Sequence, residues 1–312
     1  MNVRVGVPQG SVLGPQLFNL FINDLTAVAP GRNILFADDG VFYVTDRCID
    51  RCFDKAQILL NNLAEWMNEN KLVINSEKTK VMMFSNCSFN DLRNLIVNGV
   101  TLEWVSTIRY LGILIDNKMN FVPHSQQVLS KLSRLHGIFY CMKNVLPKRT
   151  LISLYNSLVY PAITENIIIW GGIYKSNLIN IKIMINKILR CICRVNFDEN
   201  FLPLVPTNEM FKSLNFLKFD DVHKLFLLKF IHFCFYKDNT FFDEYFAPLL
   251  PNHSYLTRNK RINLPSCRLD IQKHSTIFQC CKLLNEVSEE LINPQSNRSL
   301  NKQFKIKCLT NY

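Results

Sequence analysis

The residues best suited to chemistry are the adjacent carboxylates Asp38 and Asp39, set between two short apolar runs in ILFADDGVFYV. Like charges side by side repel, and each carboxyl is pushed toward its neutral form unless a cation shares the site. A divalent ion removes that conflict. Mg²⁺, with Mn²⁺ as a substitute, prefers carboxylate and phosphate oxygens and supports phosphoryl transfer. Taken alone, Asp-Asp-Gly reads first as a hairpin turn, because these residues suit turns for backbone reasons. A phosphate-cradling P-loop is excluded, since no Gly-Lys-Ser/Thr follows the early glycines. Cys267, His274, Cys280 and Cys281 match no regular zinc-ligand spacing.

The elements that must position the two acids can be read around them. Pro15 sits where a helix would begin, and Leu17, Phe18, Phe21, Ile22 and Leu25 follow at helical spacing. Pro30, Gly31 and Asn33 close that helix, and the two apolar runs around Asp38 then read as a β-hairpin with the acids at its tip. Residues 47–70 repeat apolar positions with the period of an amphipathic helix. Strand composition follows at 72–74, 81–84, 95–98 and 109–116. From about residue 121 helical stretches take over, at 124–143, 148–159, 176–194 and 222–236. The expectation is an α+β fold: an antiparallel sheet with helices on one face over residues 1–120, an all-helical part over 121–200 and a basic C-terminal helical extension over 201–312.

Composition sets outer bounds. With 48% hydrophobic and 20% charged residues in 312, the chain reads as globular, with room for two domains. Its net charge of +11 is uneven: residues 1–120 hold 11 Lys/Arg against 12 Asp/Glu, so the excess lies in the second half. Clustered Lys and Arg are what phosphate neutralisation requires, although solvated helix faces carry such charge as well. Eleven cysteines without a secretory signal read as free thiols in a reducing, intracellular setting, nucleus or cytoplasm, and not in a secreted protein. The apolar stretch 151–174 is interrupted by Asn156, Pro161, Glu165 and Asn166, so it reads as core helices and no membrane partner is expected.

Four segments taken in order carry a resemblance. GVPQGSVLGPQLFNLFINDL, ILFADDGVFYV, NKLVINSEKTKVMMF and IRYLGILID resemble four consecutive motifs of the reverse transcriptases of non-LTR retrotransposons, most closely the jockey-like group. The resemblance implies a polymerase palm over residues 1–120 and a thumb over 121–200. It implies RNA-directed DNA polymerisation with Mg²⁺ or Mn²⁺, an RNA template, a DNA primer and a dNTP. Within it, Phe36, Ala37, Asp38 and Asp39 match the aromatic-Ala-Asp-Asp box, with Asp38 the metal ligand and Asp39 in a lesser role near the same metals. Pro8, Gln9, Gly10 and Ser11 match the segment lining the template-base and nucleotide pocket. Glycine there lets backbone approach a ligand, and glutamine offers both a donor and an acceptor. Lys78 matches a lysine that assists the leaving pyrophosphate, and Tyr110, Leu111 and Gly112 match the turn that grips the primer end. Lys131, Arg134, Lys143, Lys148 and Arg149 would be phosphate contacts at the start of the thumb.

The family's other essential aspartate lies on a strand well upstream of the Pro-Gln-Gly-Ser segment, and this sequence begins almost on that segment. Two-metal catalysis needs carboxylates from two strands. The expectation is therefore an N-terminally truncated reverse transcriptase, inactive by itself. The alternative is a non-catalytic nucleic-acid-binding remnant of a mobile element. Group II intron and telomerase relatives use similar palms, and they differ from the order of elements seen here after residue 112.

Overall fold

The computed structural model describes residues 10–28, 32–84, 92–194, 205–236, 239–250, 262–287 and 297–312. The chain divides between Ile108 and Arg109 into two compact units. Its class is α+β, with helices and small strand pairings.

In the first unit, α1 (Gly14–Ile22) begins with Pro15 in its first turn, where a missing N–H costs nothing. α2 (Leu25–Val28) follows it. β1 (Arg32–Phe36) and β2 (Asp39–Tyr43) pair antiparallel, in a register that sets Leu35 opposite Gly40 and Phe36 opposite Asp39. Side chains alternate across a strand. One face of the hairpin therefore carries Leu35 and Phe42, which join the buried cluster of Ile22, Leu25, Leu59, Leu63 and Trp66. The other face carries Ile34, Phe36 and Tyr43, all exposed. α3 (Ile49–Glu69) supplies Leu59, Leu63 and Trp66 to that cluster. Asp46 ties the end of β2 to the start of α3: its carboxylate accepts the Cys48 N–H at 2.9 Å and pairs with Arg51 and Lys55. Those contacts, the Cys48 amide first, hold its pKa down at about 2.

The single antiparallel sheet expected from the sequence is not what the described residues form. Their strands make four separate two-stranded pairings. β3 (Lys80–Val81) runs parallel to β6 (Glu103–Trp104), and β4 (Ile96–Val97) pairs antiparallel with β5 (Val100–Thr101). Residues 72–74 are not a strand, and a turn follows in which the Asn75 carbonyl accepts the Thr79 N–H at 2.9 Å. Helix α3 also takes up sheet-like bonding. The Gln57 amide both accepts the Ile96 N–H at 2.9 Å and donates to the Ile96 carbonyl at 2.7 Å, doing at an edge what a neighbouring strand would do.

The second unit starts with a further correction. Residues 109–116, expected as one strand, fold back on themselves as β7 (Thr107–Tyr110) and β8 (Ile113–Asp116), joined by Leu111 and Gly112 at φ 45° and 87°. Positive φ at both central residues is the signature of the tight turns that suit twisted hairpins. Asp116 ends β8 and accepts the backbone N–H groups of Phe121 at 2.6 Å and of Lys118 and Asn120 at 3.2 Å each, which sets the start of α4 (Val122–Met142).

α4 packs with α5 (Lys148–Leu154), a π-helical turn (Tyr155–Val159), α6 (Tyr160–Thr164), α7 (Ile167–Trp170) and α8 (Lys175–Cys193) around one core. Leu151, Val159, Ile167 and Trp170 are fully enclosed, so the apolar stretch 151–174 turns one side of its helices into the protein interior. No helix among the described residues is long and apolar enough to cross a membrane.

α9 (Thr207–Leu214) and the front of α10 (Phe219–Tyr236) complete that core. The rear of α10, α11 (Asn239–Tyr245), α12 (Thr276–Glu286) and the last helix, Asn297–Thr310, enclose a second one. Cys234, Cys280 and Cys281 are buried in the second core, and His274 Nδ1 lies 2.6 Å from the Gly172 carbonyl. The cysteines serve there as small apolar fillers.

Candidate active site

The turn that carries the acids is built from Ala37 and Asp38 alone. Ala37 lies at φ 52°, a left-handed conformation that costs a non-glycine residue about 1 kcal/mol or more. Such strain persists only where the surroundings over-determine it, and it gathers at functional sites. Asp38 thus occupies the apex. Asp39 is the first residue of β2, opposite Phe36. The sequence reading placed both acids and Gly40 at the tip, whereas Gly40 belongs to the strand. A Cβ there would lie 2.9 Å from the Phe42 ring, so this glycine makes room for the core ring and is not needed by the turn.

Asp38 and Asp39 are both exposed, and neither is ion-paired among the described residues. Their oxygens are available to a hard cation, which fits the donor chemistry of Mg²⁺. Two carboxylates make only part of a clamp, and among the described residues no group of three or more His, Cys, Asp or Glu side chains gathers to hold a metal. Phe36 is 60% exposed beside Asp39, an aromatic face left open at the acid-bearing edge.

The other residues singled out from the sequence fall in several places. Pro8 and Gln9 lie outside the described residues. Gly10 sits at φ 80° with open space where a Cβ would be, and the Ser11 hydroxyl accepts the Gly14 N–H at 3.0 Å at the start of α1. Lys78 is exposed, and its backbone N–H is held by the Asn75 side chain at 3.1 Å, which fixes the turn that presents it. Tyr110 ends β7, and Leu111 and Gly112 form the turn.

Contacts that sequence reasoning missed surround that second turn. Asn166 Nδ2 donates to the Leu111 carbonyl at 3.2 Å, and the Glu165 carboxylate lies 3.1 Å from where a Gly112 Cβ would be. The Leu114 N–H meets Nδ1 of buried His124 at 3.4 Å, and burial pushes the His124 pKa down, with Glu165 opposing and Arg109 assisting. The only signal in the sequence was the charge pattern: between Asp116 and Asp198 there are 11 Lys/Arg and one acid, Glu165.

Asp38 and Asp39 are thus two exposed carboxylates at the apex and flank of a tight hairpin whose other face is covered by α3. Residues 2–115 match the family described as reverse transcriptase (RNA-dependent DNA polymerase). The chain is 30% identical over 203 residues to the probable RNA-directed DNA polymerase from transposon BS of Drosophila melanogaster, covering 61% of this chain and 22% of that protein. It is 27% identical over 202 residues, with the same coverage, to the RNA-directed DNA polymerase from mobile element jockey of Drosophila funebris. A Pol polyprotein from the type-1 retrotransposable element R1 of Bradysia coprophila is 28% identical over 179 residues, covering 54% of this chain and 18% of that protein. The chain thus spans about a fifth of the length of the first relatives it matches. No solved structure matches.

Proposed function

We propose that the chain is part of an RNA-directed DNA polymerase of a non-LTR retrotransposon, with a palm over residues 1–120, a thumb over 121–200 and a basic extension over 201–312. Asp38 is the metal ligand, and Asp39 supports it from the strand. The bound ion, Mg²⁺ or Mn²⁺, would supply charge stabilisation for nucleotidyl transfer. Pro8, Gln9, Gly10, Ser11, Phe36 and Ala37 serve template-base and dNTP binding, as their match to the family's motifs implies. Lys78 offers a cation to the leaving pyrophosphate. Tyr110, Leu111 and Gly112 hold the DNA primer end, and Lys131, Arg134, Lys143, Lys148 and Arg149 contact the template–primer backbone. The observation that supports this reading best is the strained two-residue turn that leaves Asp38 exposed and without an ion pair among the described residues, within a segment that matches the reverse-transcriptase family.

Mn²⁺ titration followed by electron paramagnetic resonance tests the ligand. The 312-residue chain is expected to bind Mn²⁺ weakly, with binding lost in Asp38→Asn and reduced in Asp39→Asn; equal binding by Asp38→Asn overturns the assignment. Two-metal transfer needs ions held about 3.5–4 Å apart by carboxylates from more than one strand. The isolated chain is accordingly expected to give no template-dependent extension of a DNA primer on RNA. Extension that Asp38→Asn abolishes would show that this set of acids suffices.

A further inference from the structure

Leucine is a poor residue for a left-handed turn, yet Leu111 adopts φ 45° and remains 42% exposed, so its own side chain does not hold the conformation through burial. What holds it is 55 residues away in sequence. The Asn166 side-chain amide donates to the Leu111 carbonyl at 3.2 Å, and Asn166 itself sits at φ 52°, a conformation asparagine tolerates better than most residues. Its neighbour Glu165 is fixed in turn, because the Trp170 indole donates to the Glu165 carbonyl at 2.9 Å. Trp170 is fully buried and meets the ring of His124 edge-on at 5.2 Å, and His124 accepts the Leu114 N–H on the far side of the turn. The Leu111–Gly112 turn is thus gripped from both sides by groups anchored in the helical core.

We propose that Asn166 is a positioning residue, fixing the Leu111–Gly112 turn against the helical body so that the turn can bind a recessed primer 3′ end. The proposal rests on the reading of Tyr110–Gly112 as the primer-binding turn. Asn166 acts through the Leu111 backbone and not by touching the nucleic acid. The chemistry required of the partner is a DNA 3′ end annealed to a longer template strand.

Two variants isolate the amide. Asn166→Gly keeps the left-handed backbone and deletes the donor. Asn166→Asp keeps the shape but sets an acceptor against the Leu111 carbonyl. Hydrogen exchange of the 107–116 segment, read on the full chain, is expected to rise about fivefold or more in both variants, the scale of one lost hydrogen bond. Exchange in α4 should be unchanged. By fluorescence anisotropy, the parent chain is expected to prefer a DNA primer on an RNA template with a recessed 3′ end over a blunt duplex of the same length. That preference should fall about fivefold in both variants, with blunt-duplex affinity retained in Asn166→Gly. Unchanged exchange in 107–116 overturns the clamp. Raised exchange with an unchanged end preference overturns its functional part. A parent chain that binds recessed and blunt ends alike instead overturns the primer-end reading on which the proposal rests.

Discussion

Single residues carry more of the candidate site than their neighbours suggest. Ala37 holds the turn at φ 52° while Asp38 takes the apex, so a glycine at position 37 should relieve strain without moving the acid. Ala37→Gly is expected to raise the stability of the N-terminal unit by about 1 kcal/mol, less the entropy that glycine loses on folding, as read by urea denaturation. His223 makes a separate residue-scale prediction. It is 7% exposed, its ring lies against Gly171 and Gly172, and its Nε2 has no hydrogen-bond partner among the described residues. Burial, opposed by Asp220 and aided by Lys224, lowers its pKa from 6.5 to about 4. The unfolded chain therefore binds a proton between those values that the folded chain refuses. Stability should be undiminished above pH 6.5 and fall as the pH drops to 4, by about 2 to 4 kcal/mol. His223→Gln should flatten that slope in denaturant midpoints measured across pH 4–7.

At the scale of elements, the hairpins depend on what backs them. The β1–β2 hairpin is held on one face by the cluster under α3, and its other face keeps Ile34 and Phe36 exposed beside the acids. The β7–β8 hairpin is instead tied by hydrogen bonds. Asp116 is 5% exposed and accepts three backbone N–H groups at the entry to α4. Asp116→Ala strands buried donors and is expected to cost about 2 to 3 kcal/mol in equilibrium denaturation, with loss of order in both the hairpin and the first turn of α4. Asp116→Asn keeps an acceptor oxygen and should recover part of that loss.

Over the whole molecule, charge is divided as the two units are. Between Asp116 and Asp198 there are 11 cationic side chains and a single acid, while residues 1–120 are close to neutral. Nucleic-acid binding by the chain is expected to weaken steeply with salt, with log affinity falling by about 0.9 per phosphate neutralised for each unit of log salt. Lys131→Glu and Arg134→Glu should each make that slope shallower by about one contact, measured by anisotropy between 50 and 200 mM salt. An affinity that ignores salt, or variants that leave the slope unchanged, would remove the helical unit from the interface.

The amino-acid sequence by itself determined the order of motifs, the acid-bearing hairpin, the amphipathic helix at 49–69 and the long helices after residue 121, because apolar period and turn chemistry act over a few residues. Tertiary structure alone decided the rest. It broke the expected sheet into separate pairings, and at one edge a helix side chain, Gln57, took the N–H and carbonyl of Ile96. It made Gly40 a packing residue under Phe42 and not part of the turn. It also brought Asn166 to Leu111, because which polar group satisfies a carbonyl 55 residues away is set by how core helices pack and not by any local pattern.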